Sequence, residues 1–259
     1  MAGQEFTKVA QRGAARWITL DSPENRNALS VGLVQELLAH LEAAMADDAV
    51  RCVVLTGRGP AFCAGADLKA RGEAIAREGG RDSPFVRVLK LLWDGPKPTI
   101  AGVNGHAFGG GIGLAAACDV AIGVEGARMS FSEVRVGLVP ATISVVVIPK
   151  LGVQQTLRLF LTGERFDAAR ARELGLLHRV VSEDALERAI EEEVGAIAQG
   201  GPIAIREAKR LVRTVAALPM QEGFAFAEAL IARLFASPEA DEGRAAFAEK
   251  RPPRWVAGP

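Results

Sequence analysis

The chain has 259 residues, enough to bury a sizeable core, and 49% of them are hydrophobic, which argues against wholesale disorder. Its 31 Lys and Arg balance 31 Asp and Glu, so no whole-molecule basic field draws it to nucleic acid or to an anionic membrane. Cys52, Cys63 and Cys118 are odd in number, widely spaced and free of any C-x-x-C pair, which excludes a disulfide framework and fits a reducing, cytoplasmic compartment.

In chain order, residues 1–12 lack the apolar core of a secretory signal. Trp17–Leu20 reads as a strand ending at the turn Asp21–Asn25. Ser30 then stands as the N-cap of a helix with apolar positions Val31, Val34, Leu37, Leu38 and Leu41. Cys52–Thr56 has the unbroken apolar character of a buried strand. A helix over 86–93, a strand over 99–103, a helix over 111–118 and a strand over 119–123 follow. This alternation predicts a βα crossover fold with mainly parallel pairing. From Val153 to Ala236 the pattern turns helical, with candidates at 168–174, 183–199, 203–218 and 220–234; Gly200-Gly201 stops one helix and Pro202 opens the next. No apolar run is long enough for a membrane span before Gly, Asp or Pro interrupts it.

Two glycine-rich segments follow strands: Ala61 to Lys69, and Asn104 to Leu114 with its triple glycine 109–111. Glycines at a helix start let backbone approach a ligand and present N–H donors at a positive terminus. Packing at a tight turn is the plainer alternative. Gly111, Gly113 and Ala116 match a dinucleotide fingerprint loosely, but far from the first βα unit, and no phosphate-loop motif occurs. The histidines His40, His106 and His178 are scattered, so no metal site is expected, and a G-x-S-x-G nucleophile elbow is missing. His106 sits beside the glycine loop, where a structural role competes with lining a pocket. What remains is chemistry by backbone donors and a carboxylate.

The stretches A-F-C-A-G-A-D-L-K (61–69) and G-H-A-F-G-G-G-I-G-L-A-A-A-C-D (105–119) resemble the enoyl-CoA hydratase/isomerase, or crotonase, superfamily. So do P-E-N-R-N-A-L-S (23–30), P-K-P-T-I-A-G-V-N-G (96–105), S-E-V-R-V-G-L-V-P-A (132–141), the segment 161–181 and A-F-A-E-K-R-P-P-R-W (246–255). The resemblance implies an α/β fold: a repeated ββα spiral core over 1–199 and a helical trimerisation region over 200–259, in a homotrimer or dimer of trimers.

It also implies an acyl-CoA substrate, with coenzyme A part of that substrate and no further cofactor. Its thioester oxygen would face the backbone N–H groups of Ala66 and Gly110, which stabilise the enolate. Ala64, Ala66, Asp67, Leu68, Lys69 and Gly110 would border the substrate, with Arg26 as a further candidate contact to a CoA phosphate. Glu133 matches one of the two glutamates that hydratases of the family usually carry; the other position is Gly113 here.

With one acid, hydration of a 2-enoyl-CoA with Glu133 as base competes with proton shuttling between C2 and C4 of a 3-enoyl-CoA, the isomerase reaction. S-E-V-R-V-G-L-V-P-A-T-I-S (132–144), ending in P-A-T-I-S, resembles the methylglutaconyl-CoA and isohexenylglutaconyl-CoA hydratase-like branch, which points to a branched or carboxylated substrate. A thioester hydrolase or decarboxylase is a third class, and a CoA-ester-binding or RNA-binding scaffold a fourth. Arg206, Lys209, Arg210 and Arg213 form a stripe at helical spacing, read as a solvated face or a wall of the CoA phosphate site. Zero net charge weighs against RNA. Lys250 and Trp255 are candidates to touch CoA from a neighbouring subunit, with plain surface positions as the alternative. Segment Arg71–Phe85 reads as a loop or frayed helix that helps shape the acyl pocket.

Overall fold

The computed structural model describes residues 5–67 and 83–256. In chain order the elements are β1 (Thr7–Arg12), β2 (Ala15–Leu20), α1 (Val31–Ala46), β3 (Cys52–Gly57), β4 (Ala61–Cys63), α2 (Pro84–Asp94), β5 (Thr99–Val103), β6 (His106–Phe108), α3 (Gly110–Ala117), β7 (Val120–Val124) and β8 (Arg128–Ser130). They continue as α4 (Ala141–Thr162), β9 (Arg165–Asp167), α5 (Ala168–Glu173), β10 (Arg179–Val181), α6 (Leu186–Ala198), α7 (Pro202–Val215), α8 (Met220–Phe235) and α9 (Pro238–Glu249).

Two sheets organise the core. The larger runs β1-β2-β3-β5-β7-β10, parallel except for the β1–β2 hairpin; the smaller runs β4-β6-β8-β9, parallel except for β8–β9. Three times in succession a strand of the large sheet (β3, β5, β7) is followed by a strand of the small one (β4, β6, β8). This is the repeated spiral that the resemblance implies. Strand β3 is covered on both faces, with Cys52 to Leu55 fully buried, as its continuous apolar run predicts. The Ser30 hydroxyl accepts from the Leu33 N–H at 3.2 Å and caps α1, whose Leu33, Val34, Leu37, Leu38 and Leu41 enter the core. Cysteines 52, 63 and 118 are buried thiols, and burial pushes each up to about 12, so they behave as inert core groups. Among the described residues, no helix is long and apolar enough to cross a membrane.

The main core cluster extends from Ala15 to Val194. Helices α7–α9 fold back on their own chain. Trp255 donates its indole N–H to the Gln199 carbonyl at 3.0 Å, and Arg51 donates to the Trp255 carbonyl at 3.2 Å, which fastens the tail beside the end of α6. Lys250 caps α9 in the left-handed conformation.

The basic stripe divides in two. Lys209 and Arg213 turn inward and clamp Asp119, with Lys209 Nζ 2.8 Å from its Oδ2, while Arg213 stacks 3.7 Å over the Trp93 ring. Arg206 and Arg210 pair with Glu207 on the same helix. The stripe is half a fastening for α7 and half an ion-paired surface, because residues at i and i+4 face the core here while their neighbours do not.

Candidate active site

The site is built where three chain reversals meet: the loop after β4, the start of α3, and the 3-10 turn Ser132–Val136. Asn27 holds the first in place. It is fully buried, donates its amide to the carbonyls of Arg58 (3.1 Å) and Ala61 (2.8 Å), and accepts from the Ser22 N–H at 2.9 Å. Arg26 contributes through its backbone, its carbonyl accepting from the Ala64 N–H at 3.0 Å. Leu29 then pairs with the loop in a parallel bridge to Ala66, its N–H donating to the Gly65 carbonyl at 2.8 Å. In that pairing the Ala66 N–H faces away from Leu29. It donates to no described residue, and neither does the Gly110 N–H in the first turn of α3, where the four leading N–H groups have no helical partner. Two free donors at the positive end of a buried helix form a site for developing negative charge.

Glu133 supplies the carboxylate. It stands in the 3-10 turn that closes at Gly137 in the left-handed conformation (φ 76°). Its carboxylate lies directly over Gly109, so close that a Cβ there would be 2.6 Å from Oε1. Oε2 is buried and accepts no hydrogen bond from a described residue. Burial raises the Glu133 carboxyl from its ordinary value, outweighing a backbone hydrogen bond that lowers it.

These groups share one cavity of about 470 Å³, lined by Ala64, Gly65, Ala66, Gly110 and Glu133 together with apolar walls from Leu29, Phe85, Val136, Val139 and Ile143. Of the residues read from sequence, Glu133, Ala66, Gly110 and Ala64 therefore come together. The Arg26 side chain is not in the lining, nor are Lys250 and Trp255, nor any residue of the basic stripe, whose members border a separate hollow of about 390 Å³ beside Trp93. Asp67 adjoins the loop, while Leu68, Lys69 and most of Arg71–Phe85 lie outside the described residues. His106 points away: it is exposed, and its Nδ1 accepts from the Arg128 N–H at 3.2 Å. His178 Nδ1 likewise accepts from the Ala121 N–H at 3.1 Å.

Sequence reasoning placed Phe85 in a segment that shapes the pocket but missed Leu29 and Ile143 as walls. Leu29 stood in a quoted motif as a turn neighbour, and Ile143 as part of P-A-T-I-S, with nothing in either to place it against the glycine helix. In the structure Ile143 is buried at the start of α4 and occupies the space beside Gly113, where an added Cβ would lie 2.8 Å from the Ile143 Cβ. The position of the second family glutamate is thus filled by an aliphatic side chain from another helix.

Comparison with known proteins places the chain among its relatives. A family model described as enoyl-CoA hydratase/isomerase matches residues 11–258. The chain is 34% identical over 253 residues to the enoyl-CoA hydratase EchA19 of Mycobacterium tuberculosis, covering 95% of this chain and 95% of that protein. It is also 34% identical over 253 residues to the carnitinyl-CoA dehydratase of Proteus mirabilis, covering 95% of this chain and 97% of that one. Among solved structures, an enoyl-CoA hydratase from Shewanella pealeana superposes with a TM-score of 0.89 at 32% identity, over 97% of this chain and 96% of that one.

Proposed function

Because the chain belongs to the enoyl-CoA hydratase/isomerase family, we propose that it adds water across the C2–C3 double bond of a 2-enoyl-CoA thioester, with Glu133 as its single acid–base group. The observation that carries this reading is the half-buried Glu133, its Oε2 buried, in the same cavity as the unspent N–H groups of Ala66 and Gly110. Glu133 takes a proton from water as the water oxygen bonds to C3. The π electrons move through C2 onto the thioester oxygen, where the two N–H groups hold the enolate. Glu133 then returns its proton to C2, so one carboxylate balances the addition and ends as it began. Losing one such preorganised donor costs about 2.7–4 kcal/mol of barrier. Coenzyme A enters only as part of the substrate.

A second reading, Δ3,Δ2-enoyl-CoA isomerisation, is favoured by Ile143 in the place of a second acid: a lone carboxylate is sufficient to carry a proton from C2 to C4. The product separates the two. Crotonyl-CoA incubated with the purified protein gains one water by mass spectrometry if the protein is a hydratase. A 3-enoyl-CoA converted to its conjugated isomer without added oxygen makes it an isomerase. Glu133→Gln is expected to lower turnover about 10²–10⁴-fold while CoA-ester binding persists; normal turnover by that variant overturns the assignment. Methylglutaconyl-CoA is the carboxylated substrate to compare, since the P-A-T-I-S segment that suggests it runs along the cavity wall at Pro140 to Ile143. The proposal extends to a cytoplasmic homotrimer or dimer of trimers. It is supported by the three buried thiols and by exposed apolar side chains on α4 and α8, including Val153, Leu161, Met220 and Phe224.

A further inference from the structure

Ile143 and Gly113 are interlocked. Ile143 is 3% exposed, lines the cavity with Glu133, and packs so tightly on α3 that a Cβ at Gly113 would overlap its Cγ2. Gly113 lies within a fully buried stretch of α3, so the backbone of that helix is the floor on which Ile143 rests. Deeper seating is blocked by α3, and α4 behind it is anchored by Val146 and Val147 in the core. The position of the Ile143 side chain is therefore set from both sides, and it borders the space in which substrate carbons meet Glu133.

We infer that Ile143 is the specificity-determining residue of this cavity: seated on Gly113, it limits the bulk of the acyl group at the carbons nearest Glu133. The inference rests on the acyl-CoA reading. It makes two neighbouring substitutions act in opposite directions. Ile143→Ala retracts the wall. Gly113→Ala pushes Ile143 off its seat and into the cavity, which narrows it.

The test is calorimetric titration with two saturated thioesters, butyryl-CoA (linear) and isovaleryl-CoA (branched at C3), neither of which needs turnover. In Ile143→Ala the ratio of the isovaleryl to the butyryl Kd falls at least about fourfold, the worth of one buried methyl group. In Gly113→Ala the ratio rises by a similar factor, and the double variant falls back below wild type. Ile143→Val gives an intermediate shift and carries the test if Ile143→Ala does not fold, as judged by thermal melting. An unchanged ratio in the folded Ile143 variants overturns the inference, as does a Gly113→Ala shift in the same direction as Ile143→Ala. A wild-type protein that binds both thioesters but leaves crotonyl-CoA unhydrated overturns only the hydratase reading, and the ratios still decide the role of Ile143. A wild-type protein that binds neither thioester overturns both.

Discussion

Gly65 separates the two backbone donors, and one added methyl group tests whether their spacing matters. It adopts φ +83°, a left-handed conformation that costs a non-glycine residue about 1–2 kcal/mol. A Cβ at this position would lie 2.7 Å from the Phe108 carbonyl oxygen and 3.4 Å from the Gly110 nitrogen. Ordinary carbon contacts begin at 3.4 Å, so the loop carrying Ala66 and the segment leading into α3 must part by roughly 0.7 Å to admit it. Misplacing a reacting constellation by about 1 Å costs on the order of 10²-fold, and losing one oxyanion donor outright costs about 10²–10³-fold. Gly65→Ala is therefore expected to lower kcat for crotonyl-CoA hydration by about 10–100-fold, with a thermal midpoint only a few degrees lower. Loss of the conjugated-enoyl absorbance reports the rate. Gly126→Ala is the control, because a Cβ there meets nothing within 4 Å. A folded Gly65→Ala enzyme with kcat within twofold of wild type refutes the idea that Ala66 and Gly110 act as a spaced pair.

Asp119→Ala removes the partner of Lys209 and Arg213, whose side chains are only 7% and 16% exposed, and it also frees the Thr99 N–H that donates to the carboxylate at 2.8 Å. Breaking such a buried pair costs about 3–5 kcal/mol, so chemical denaturation should show a loss of that size; a loss below about 1 kcal/mol refutes the clamp. Burial raises the Glu133 carboxyl, so its neutral form is favoured in the folded chain, and stability falls as pH rises from the unfolded carboxylate range through the raised folded value. Glu133→Gln should accordingly melt higher than wild type at neutral pH and level with it at acid pH, and equal melting curves at every pH refute the burial cost. In turnover the same shift moves the acid limb of the pH profile to higher pH than an unperturbed glutamate gives, since Glu133 must be ionised to accept a proton. Light scattering after size exclusion should give a multiple of three chains, and a monomer at micromolar concentration refutes the assembly.

How much of this was legible in the sequence depended on the range of the interaction that decides each feature. Four strands of the large sheet and α1 are local: Cys52–Leu55 is an unbroken apolar run, and Ser30 caps the residues that follow it, whereas β1 and the three-residue β10, the latter inside a stretch read as helical, were not read. Strands β4, β6, β8 and β9 have three residues each and carry no readable alternation; they exist because each pairs with a neighbour tens of residues away in the second sheet. Helix α4 hides behind Pro140, Pro149 and Gly152. Pro140 merely precedes it, Pro149 lies inside it, and at Gly152 (φ 74°, ψ 160°) the backbone leaves helical geometry, so two helical segments meet at a kink.

The site divides in the same way. Ala66, Gly110 and Glu133 were picked out by the resemblance of their motifs to the family, whereas the residue types alone left packing at a tight turn open. The basic stripe misled because its partner, Asp119, lies 90 residues before Lys209 and nothing near the stripe marks which half turns inward. Gly113 shows the limit most sharply. The missing acid is visible as a glycine in the chain, but a glycine alone leaves open whether the vacated space holds water, substrate or protein. Only the packing of α4 on α3, 30 residues apart in sequence, puts Ile143 there. Through that contact the space beside Gly113 becomes a wall of the cavity, and under the proposed function the acid–base chemistry falls to Glu133 alone.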